Sequence, residues 1–128
     1  VGQILARKLF VKPNQKELRR KFVRRWARND KQAYLWAMDA IMWWSVADRL
    51  DQVAVPTLLV SSDEDYTPVS AKERIAEQMP DAGVAVVKGA RHALPVERPT
   101  AFNEVVGAFL EEVSLTSHPR EAVRSPPG

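Results

Sequence analysis

Two aspartates and a histidine follow two successive predicted strands, and their positions could support acid–base chemistry. Asp63 and Asp65 come after the apolar run at residues 57–60, and His92 comes after a second apolar run at residues 84–87. The segment between the runs has helical spacing, so the unit is predicted to be β-α-β, a crossover that makes neighbouring strands parallel. Parallel neighbours end at the same edge of a sheet, so a carboxylate and the imidazole are expected side by side there. Such a pair could orient a general base beside a nucleophile.

The same stretch resembles the C-terminal segment of the α/β-hydrolase superfamily. The resemblance rests on Val55-Pro-Thr-Leu-Leu-Val60, Ser62-Asp-Glu-Asp-Tyr-Thr-Pro68 and Gly89-Ala-Arg-His-Ala-Leu-Pro95, followed by Glu97-Arg-Pro99. In that family one strand ends in a loop that carries the acid of a catalytic triad, and the next ends in a G-x-x-H loop that carries the general base. The resemblance covers roughly residues 53–113 and departs from the pattern in two places. Ser62 stands where glycine is usual, and the interval from Asp65 to Pro68 is one residue short.

The resemblance implies a role for each residue of the pair. His92 would be the general base, and Asp65 would be the acid that fixes its tautomer. Asp65 is preferred because it precedes Tyr66-Thr67-Pro68, as the acid does in relatives that share this motif. Asp63 is the alternative acid because it lies closest to the strand end. The reaction implied is hydrolysis of ester or related carboxylic bonds in a small-molecule substrate. No metal ion or organic cofactor is implied.

No candidate nucleophile accompanies this pair. The family carries its nucleophile in a G-x-S-x-G turn, and no serine of this chain has a glycine two positions away on both sides. In the family that turn precedes the segment seen here. The chain also begins at Val1 within a helical pattern. We therefore expect a fragment, inactive alone, whose remaining N-terminal half of the fold supplies the nucleophile.

The predicted fold class is α/β, the C-terminal part of an α/β-hydrolase fold, in which a helical cap segment precedes a parallel β-α-β-α unit. Residues 1–50 form the cap segment, residues 51–113 form the C-terminal part of the core, and residues 114–128 form a polar, disordered tail that contains His118. In the cap segment, the patterns predict a helix that ends before Lys12-Pro13, an amphipathic helix over 16–28, and an aromatic helix over 31–44 that is capped by Asn29-Asp30. In the core part, they predict a crossover helix that begins with a capping box at Ser70–Glu73 and a last helix that begins at Pro99.

The aromatic helix is the candidate substrate-binding element. It lies where the family often inserts a helical cap before the acid-bearing strand. An apolar pocket for an acyl or alkyl group could be lined by Trp36, Met42, Trp43 and Trp44. The same side chains could instead pack the cap against the sheet. The sequence leaves both interpretations open.

Charge distribution and composition suggest and exclude further classes. Residues 1–31 carry a net charge of +9, whereas residues 32–128 carry −6. The basic helix 16–28 could therefore bind nucleic acid or an anionic surface through its cations and the aromatic rings of Phe22 and Trp26. Those two rings share the apolar face of the helix and are better explained as core, so neither a nucleic acid nor a membrane is the expected partner. A non-catalytic protein of the same fold is the other alternative.

Two absences bear on the compartment. The chain has no cysteine, so neither disulfides nor thiolate zinc ligands are available, which fits a reducing compartment. No apolar run approaches the ~18 residues of a membrane span. A cytoplasmic location is expected.

Overall fold

The computed structural model describes residues 1–117. The elements in chain order are α1 (Gly2–Leu9), α2 (Lys16–Trp26), α3 (Lys31–Trp43), β1 (Thr57–Ser62), α4 (Val69–Ala76), β2 (Ala82–Val87), α5 (Leu94–Glu97) and α6 (Pro99–Ser117), with 3₁₀ turns at Pro13–Gln15 and Ala47–Gln52. Helix α6 thus continues past residue 113. The tail was predicted to begin at residue 114, but residues 114–117 belong to α6, and the rest of the predicted tail, with His118, lies outside the described residues.

Strands β1 and β2 form a parallel pair, which confirms the predicted β-α-β unit. Thr57 lies opposite Ala82 and Ser62 lies opposite Val87, so the two strands are in register over their whole length. Both strands extend beyond the apolar runs because backbone pairing does not require apolar side chains. The loops after β1 and β2 therefore leave the sheet at the same level of the same edge.

Helix α4 starts differently from the prediction. The predicted capping box at Ser70–Glu73 is wrong, because the helix already includes Val69 and its N-cap is Pro68, which makes no side-chain capping bond. The extended backbone of Pro68 leads directly into the helix, and its carbonyl accepts from the amide of Ala71 at 3.0 Å. Helix α6 starts at Pro99 as predicted.

The main core lies under the loop that follows β2. Val87, Ala90 and Leu94 are buried there, and a ring of partly buried side chains packs around them: Val60, Ala101, Phe102 and Val105. Helix α6 supplies the last three. Because Ala90 and Leu94 flank His92 on either side, core packing fixes the loop that carries the histidine.

The N-terminal helices form a separate packing unit built on aromatic contacts. Phe10 is 2% exposed, and its ring lies 6.0 Å from that of Phe22. Phe22 stacks on Trp26 at 5.6 Å, and Trp26 meets Tyr34 of α3 edge-on at 5.1 Å. Asp30 caps α3 as predicted, since its Oδ1 accepts from the Ala33 amide at 2.7 Å. Between residues 1 and 117 no helix is both long and apolar enough to cross a membrane.

Candidate active site

Asp65 and His92 lie in contact at the carboxyl ends of β1 and β2. His92 Nδ1 is 3.1 Å from Asp65 Oδ1 and 3.4 Å from Oδ2. The shorter distance is within the ~2.6–3.2 Å expected for a base and the group that orients it. The Asp65 side chain is 9% exposed and the His92 side chain is 46% exposed. The acid is thus enclosed while the imidazole faces solvent.

Asp65 is held by its own turn and by the first turns of α4. Thr67 Oγ1 donates to Asp65 Oδ2 at 3.0 Å, and the Thr67 amide donates to Oδ1 at 3.4 Å. Lys72 Nζ lies 3.3 Å from Oδ2 and donates to the Thr67 carbonyl at 2.7 Å. The Lys72 side chain is 19% exposed, so this ion pair is largely shielded from water.

These contacts determine the protonation of the acid. Burial acts to raise the pKa of Asp65, but the hydrogen bonds from Thr67, the bond from Lys72 and the charge of His92 outweigh it. The pKa of Asp65 therefore lies below its ordinary value. A carboxylate that stays ionised is the form that can accept the Nδ1–H of an imidazole.

Asp63 makes a different contact from Asp65. Its Oδ1 accepts from the backbone amide of Gly89 at 2.8 Å. Gly89 has a φ of +71°, a conformation that glycine adopts at little cost. Asp63 therefore fixes the start of the histidine loop, and the carboxylate in contact with the imidazole belongs to Asp65.

The backbone next to His92 is held by two further side chains. Ser62 Oγ donates to the Arg91 carbonyl at 2.6 Å, and the Arg91 amide donates to Glu97 Oε2 at 2.8 Å. Ser62, which replaces the usual glycine, thus supplies a donor that ties the end of β1 to the histidine loop. That departure from the family pattern was the only sequence signal for this bond.

The segment between α1 and α2 also reaches the histidine loop. Lys12 Nζ donates to the Gly89 carbonyl at 2.6 Å and lies 3.7 Å from Glu64 Oε2. Gln15, which is 7% exposed, donates through Nε2 to Glu97 Oε1 at 2.6 Å. Gln15 and Glu97 are 82 positions apart, and no sequence pattern indicated their contact.

Tyr66 occupies the other nitrogen of the imidazole. Its hydroxyl oxygen is 2.6 Å from His92 Nε2, and the two ring centroids are 4.2 Å apart at an interplanar angle of 32°. No role for this residue was predicted from the sequence. Its only signal was its position directly after the candidate acid.

The predicted substrate-binding residues lie in α3 and at Trp44, which directly follows it, and they are not enclosed. Trp36, Met42, Trp43 and Trp44 are 67%, 76%, 86% and 68% exposed. Within residues 1–117, α3 makes no extensive contact with either strand. The structure therefore brings Asp65 and His92 together but does not bring these four side chains to them. Nor does the described part contain a cluster of three or more potential ligands that could hold a metal ion.

Comparisons with known proteins show that part of this chain is similar to hydrolases. No protein-family model matches the chain. "Putative carbamate hydrolase RutD" of Azorhizobium caulinodans is 36% identical over 67 residues, which are 52% of this chain and 25% of that protein. Est816, described as an N-acyl homoserine lactone degrading enzyme, matches with a TM-score of 0.67 and 26% identity over 81% of this chain and 44% of its own. MGS-MChE2, an α/β-hydrolase enzyme from a lagoon-sediment metagenome, matches with a TM-score of 0.55 and 26% identity over 61% of this chain and 36% of its own.

The matches agree with the architecture described above. They cover only part of each relative, 25% of the curated one, and their names place the similarity among hydrolases. These matches indicate the α/β-hydrolase superfamily for the part of this chain that they cover.

Proposed function

We propose that this chain supplies the acid and the general base of a hydrolase that cleaves ester or related carboxylic bonds by a nucleophile–His–Asp mechanism. The observation that carries the proposal is the 3.1 Å contact between His92 Nδ1 and the enclosed carboxylate of Asp65. The names of two similar proteins fit this bond class, since one is named "Putative carbamate hydrolase" and the other is described as an N-acyl homoserine lactone degrading enzyme.

The geometry supports a definite path for the proton. With Nδ1–H donated to Asp65, His92 Nε2 carries the lone pair and accepts the proton of a nucleophile's hydroxyl as that oxygen attacks the carbonyl carbon. When the tetrahedral intermediate collapses, Nε2 returns the proton to the leaving oxygen or nitrogen. Water then repeats the cycle on the acyl intermediate and regenerates the nucleophile. Asp65 keeps the imidazole in the required tautomer throughout.

The nucleophile is proposed to lie outside these 128 residues. The proposal is supported by the lack of a G-x-S-x-G turn in the sequence and by the position of that turn before the acid in members of this fold. The chain would then be a fragment without activity of its own, and its partner would be the N-terminal half of the same hydrolase fold.

The aromatic face of α3 is proposed to complete the site. Trp36, Met42, Trp43 and Trp44 present a wide apolar surface, and a substrate pocket for an acyl or alkyl group requires such a lining. Contact with the rest of the fold would enclose this surface. The cytoplasmic location expected from the cysteine-free sequence remains a prediction.

The experiment compares the complete protein that contains this chain with its variants, using a short aryl ester as substrate. His92→Ala should lower kcat by about 10³-fold or more while the circular dichroism spectrum stays unchanged, because losing a triad member removes most of the rate enhancement. His118→Ala, at the chain's other histidine, is the control and should retain activity. Full activity in a folded His92→Ala protein would refute the proposal.

Two matched variants distinguish the acids. Asp65→Asn should lower kcat strongly, up to the loss seen for His92→Ala, because it disturbs the tautomer rather than removing the base. Asp63→Asn should have a mild effect, since Asp63 contacts the Gly89 amide. A severe loss in Asp63→Asn with a mild one in Asp65→Asn would transfer the acid role to Asp63.

Two alternatives are decided by other observations. A non-catalytic protein of this fold would lack a nucleophile turn in the sequence that precedes Val1, and its complete form would not hydrolyse the ester. For a nucleic-acid module, α2 would need free aromatic faces, but Phe22 and Trp26 contact each other and Phe10 and Tyr34. Salt-sensitive binding of generic DNA or RNA would nevertheless support that alternative.

A further inference from the structure

The hydroxyl of Tyr66 lies where the proposed mechanism needs a nucleophile. It is 2.6 Å from His92 Nε2, the atom that would take the nucleophile's proton. The opposite ring nitrogen, Nδ1, is in contact with Asp65. An ionised carboxylate has no proton to donate, so Nδ1 is the donor in that contact. In the neutral imidazole with the proton on Nδ1, Nε2 has only a lone pair, and the phenol is the donor to it.

The contact depends on the conformation of one exposed side chain. Tyr66 is 66% exposed, and its ring lies tilted over the imidazole with centroids 4.2 Å apart. Its backbone follows Asp65 directly, within the turn that Thr67 and Lys72 hold. The position of the Cα is thus fixed by the turn, whereas the exposed ring is held by its contact with His92.

From these contacts we propose that Tyr66 is a positioning residue whose hydroxyl occupies the Nε2 position of His92 and holds the neutral, Nδ1-protonated imidazole ready for a nucleophile. This proposal rests on the proposed function, because only that mechanism places a nucleophile next to Nε2 of His92. Any nucleophile that uses His92 must displace the phenol. The displacement changes no covalent bond, because one hydroxyl donor replaces another.

The test uses the 128-residue chain and measures the accessibility of Nε2 directly. The chain has two histidines and two tyrosines, so a His118→Gln background leaves His92 as the only imidazole. Diethyl pyrocarbonate acylates an imidazole through a free lone pair. Tyr66→Phe, which keeps the ring and removes only the hydroxyl, should increase the acylation rate of His92 by about fivefold, the effect of removing a hydrogen bond of ordinary net strength. Tyr34→Phe is the matched control and should leave the rate unchanged.

A second measurement separates positioning from general structural support. In ¹⁵N-resolved NMR spectra, Tyr66→Phe should move the Nε2 resonance towards that of an unbonded, unprotonated ring nitrogen and leave the Nδ1 resonance in place. An equal acylation rate in Tyr66→Phe and Tyr34→Phe, or an unmoved Nε2 resonance, would overturn the proposal even if the melting temperature changed. Neither measurement involves a substrate or a nucleophile. A failure here therefore concerns Tyr66 alone, whereas a failure of ester hydrolysis concerns the proposed function.

Discussion

The loops after β1 and β2 and the helix α3 carry the two sets of residues proposed to act on a substrate, and they are held in opposite ways. In the loops, directional bonds fix each group, for example Ser62 Oγ to the Arg91 carbonyl at 2.6 Å and the Gly89 amide to Asp63 at 2.8 Å. In α3, the large apolar side chains are exposed, Trp43 by 86%. Hydrogen bonds to neighbouring residues therefore position the acid–base pair, whereas the aromatic side chains of α3 are positioned mainly by the helix that carries them.

The difference shows what each kind of residue needs. A polar group is positioned by two or three bonds to atoms close in space, which a pair of loops can supply. An apolar face gains free energy only when another surface removes it from water. A helix as short as α3, with 13 residues, is marginal without such packing. The comparison predicts that the loop region is stable and specific while α3 contributes little to stability.

The largest expected difference in the free energy of unfolding comes from replacing one leucine by alanine in each region. Leu94→Ala, at a side chain 5% exposed in the main core, should lower the free energy of unfolding by about 2–5 kcal/mol, because it leaves a cavity. Leu35→Ala, at a side chain 48% exposed in α3, should lower it by less than about 1 kcal/mol. Urea denaturation measures both. Equal losses would show that α3 is packed as well as the histidine loop.

The next effect concerns the backbone of the histidine loop. Gly89→Ala should destabilise the protein by about 1–2 kcal/mol, because a side chain is strained in the left-handed conformation that Gly89 adopts at a φ of +71°. Gly83→Ala in β2 is the control, since an added Cβ there meets nothing within 4 Å. Thermal melts of the two variants should separate clearly. A Gly89→Ala protein that melts with the Gly83→Ala protein would mean that the loop backbone is not held as described.

Adjacent serines at the end of β1 allow a finer test. Ser62→Ala should cost about 0.5–1.5 kcal/mol because it removes the bond to the Arg91 carbonyl. Ser61 is also buried, but its hydroxyl has no partner among the described residues. Ser61→Ala should therefore be neutral or stabilising, since it removes an unsatisfied polar group. Denaturation midpoints of the two single variants check the order, and the reverse order would contradict it.

These results also mark what the sequence could predict. The parallel strand pair and the meeting of an aspartate with His92 follow from local signals, because strand ends in a β-α-β unit fix which loops are neighbours. The preference for Asp65 over Asp63 came from the family resemblance. The contacts of Lys12 and Gln15 with this loop could not be predicted, since they depend on how α1 and α2 dock on the core. For α3, the apolar pattern shows that a partner surface is needed but does not identify it. The capping box at Ser70–Glu73 failed because the pattern does not show that Pro68 already starts the helix.

The smallest expected effect is a change in how steeply the free energy of unfolding depends on pH in the acid range. Since the pKa of Asp65 is lower in the folded protein than its ordinary value, the unfolded chain binds its proton more readily. The resulting stabilisation is fully present above the ordinary pKa of about 3.9 and is lost as the pH falls through the folded pKa. Asp65→Asn should therefore show a shallower loss of stability below about pH 4 than the unaltered chain. Urea denaturation across this range measures the slope, and an unchanged slope would contradict the shielded ion pair with Lys72.

Glu97 has a mechanical consequence. One of its oxygens accepts from Gln15 Nε2 and the other accepts from the Arg91 amide, both at distances below 3 Å. The carboxylate of Glu97 thus bridges the segment before α2 and the peptide bond next to His92. A displacement of that segment would act first on these two bonds to Glu97. The orientation of the base thus rests in part on Gln15, which lies between α1 and α2 and 82 positions before Glu97 in the chain.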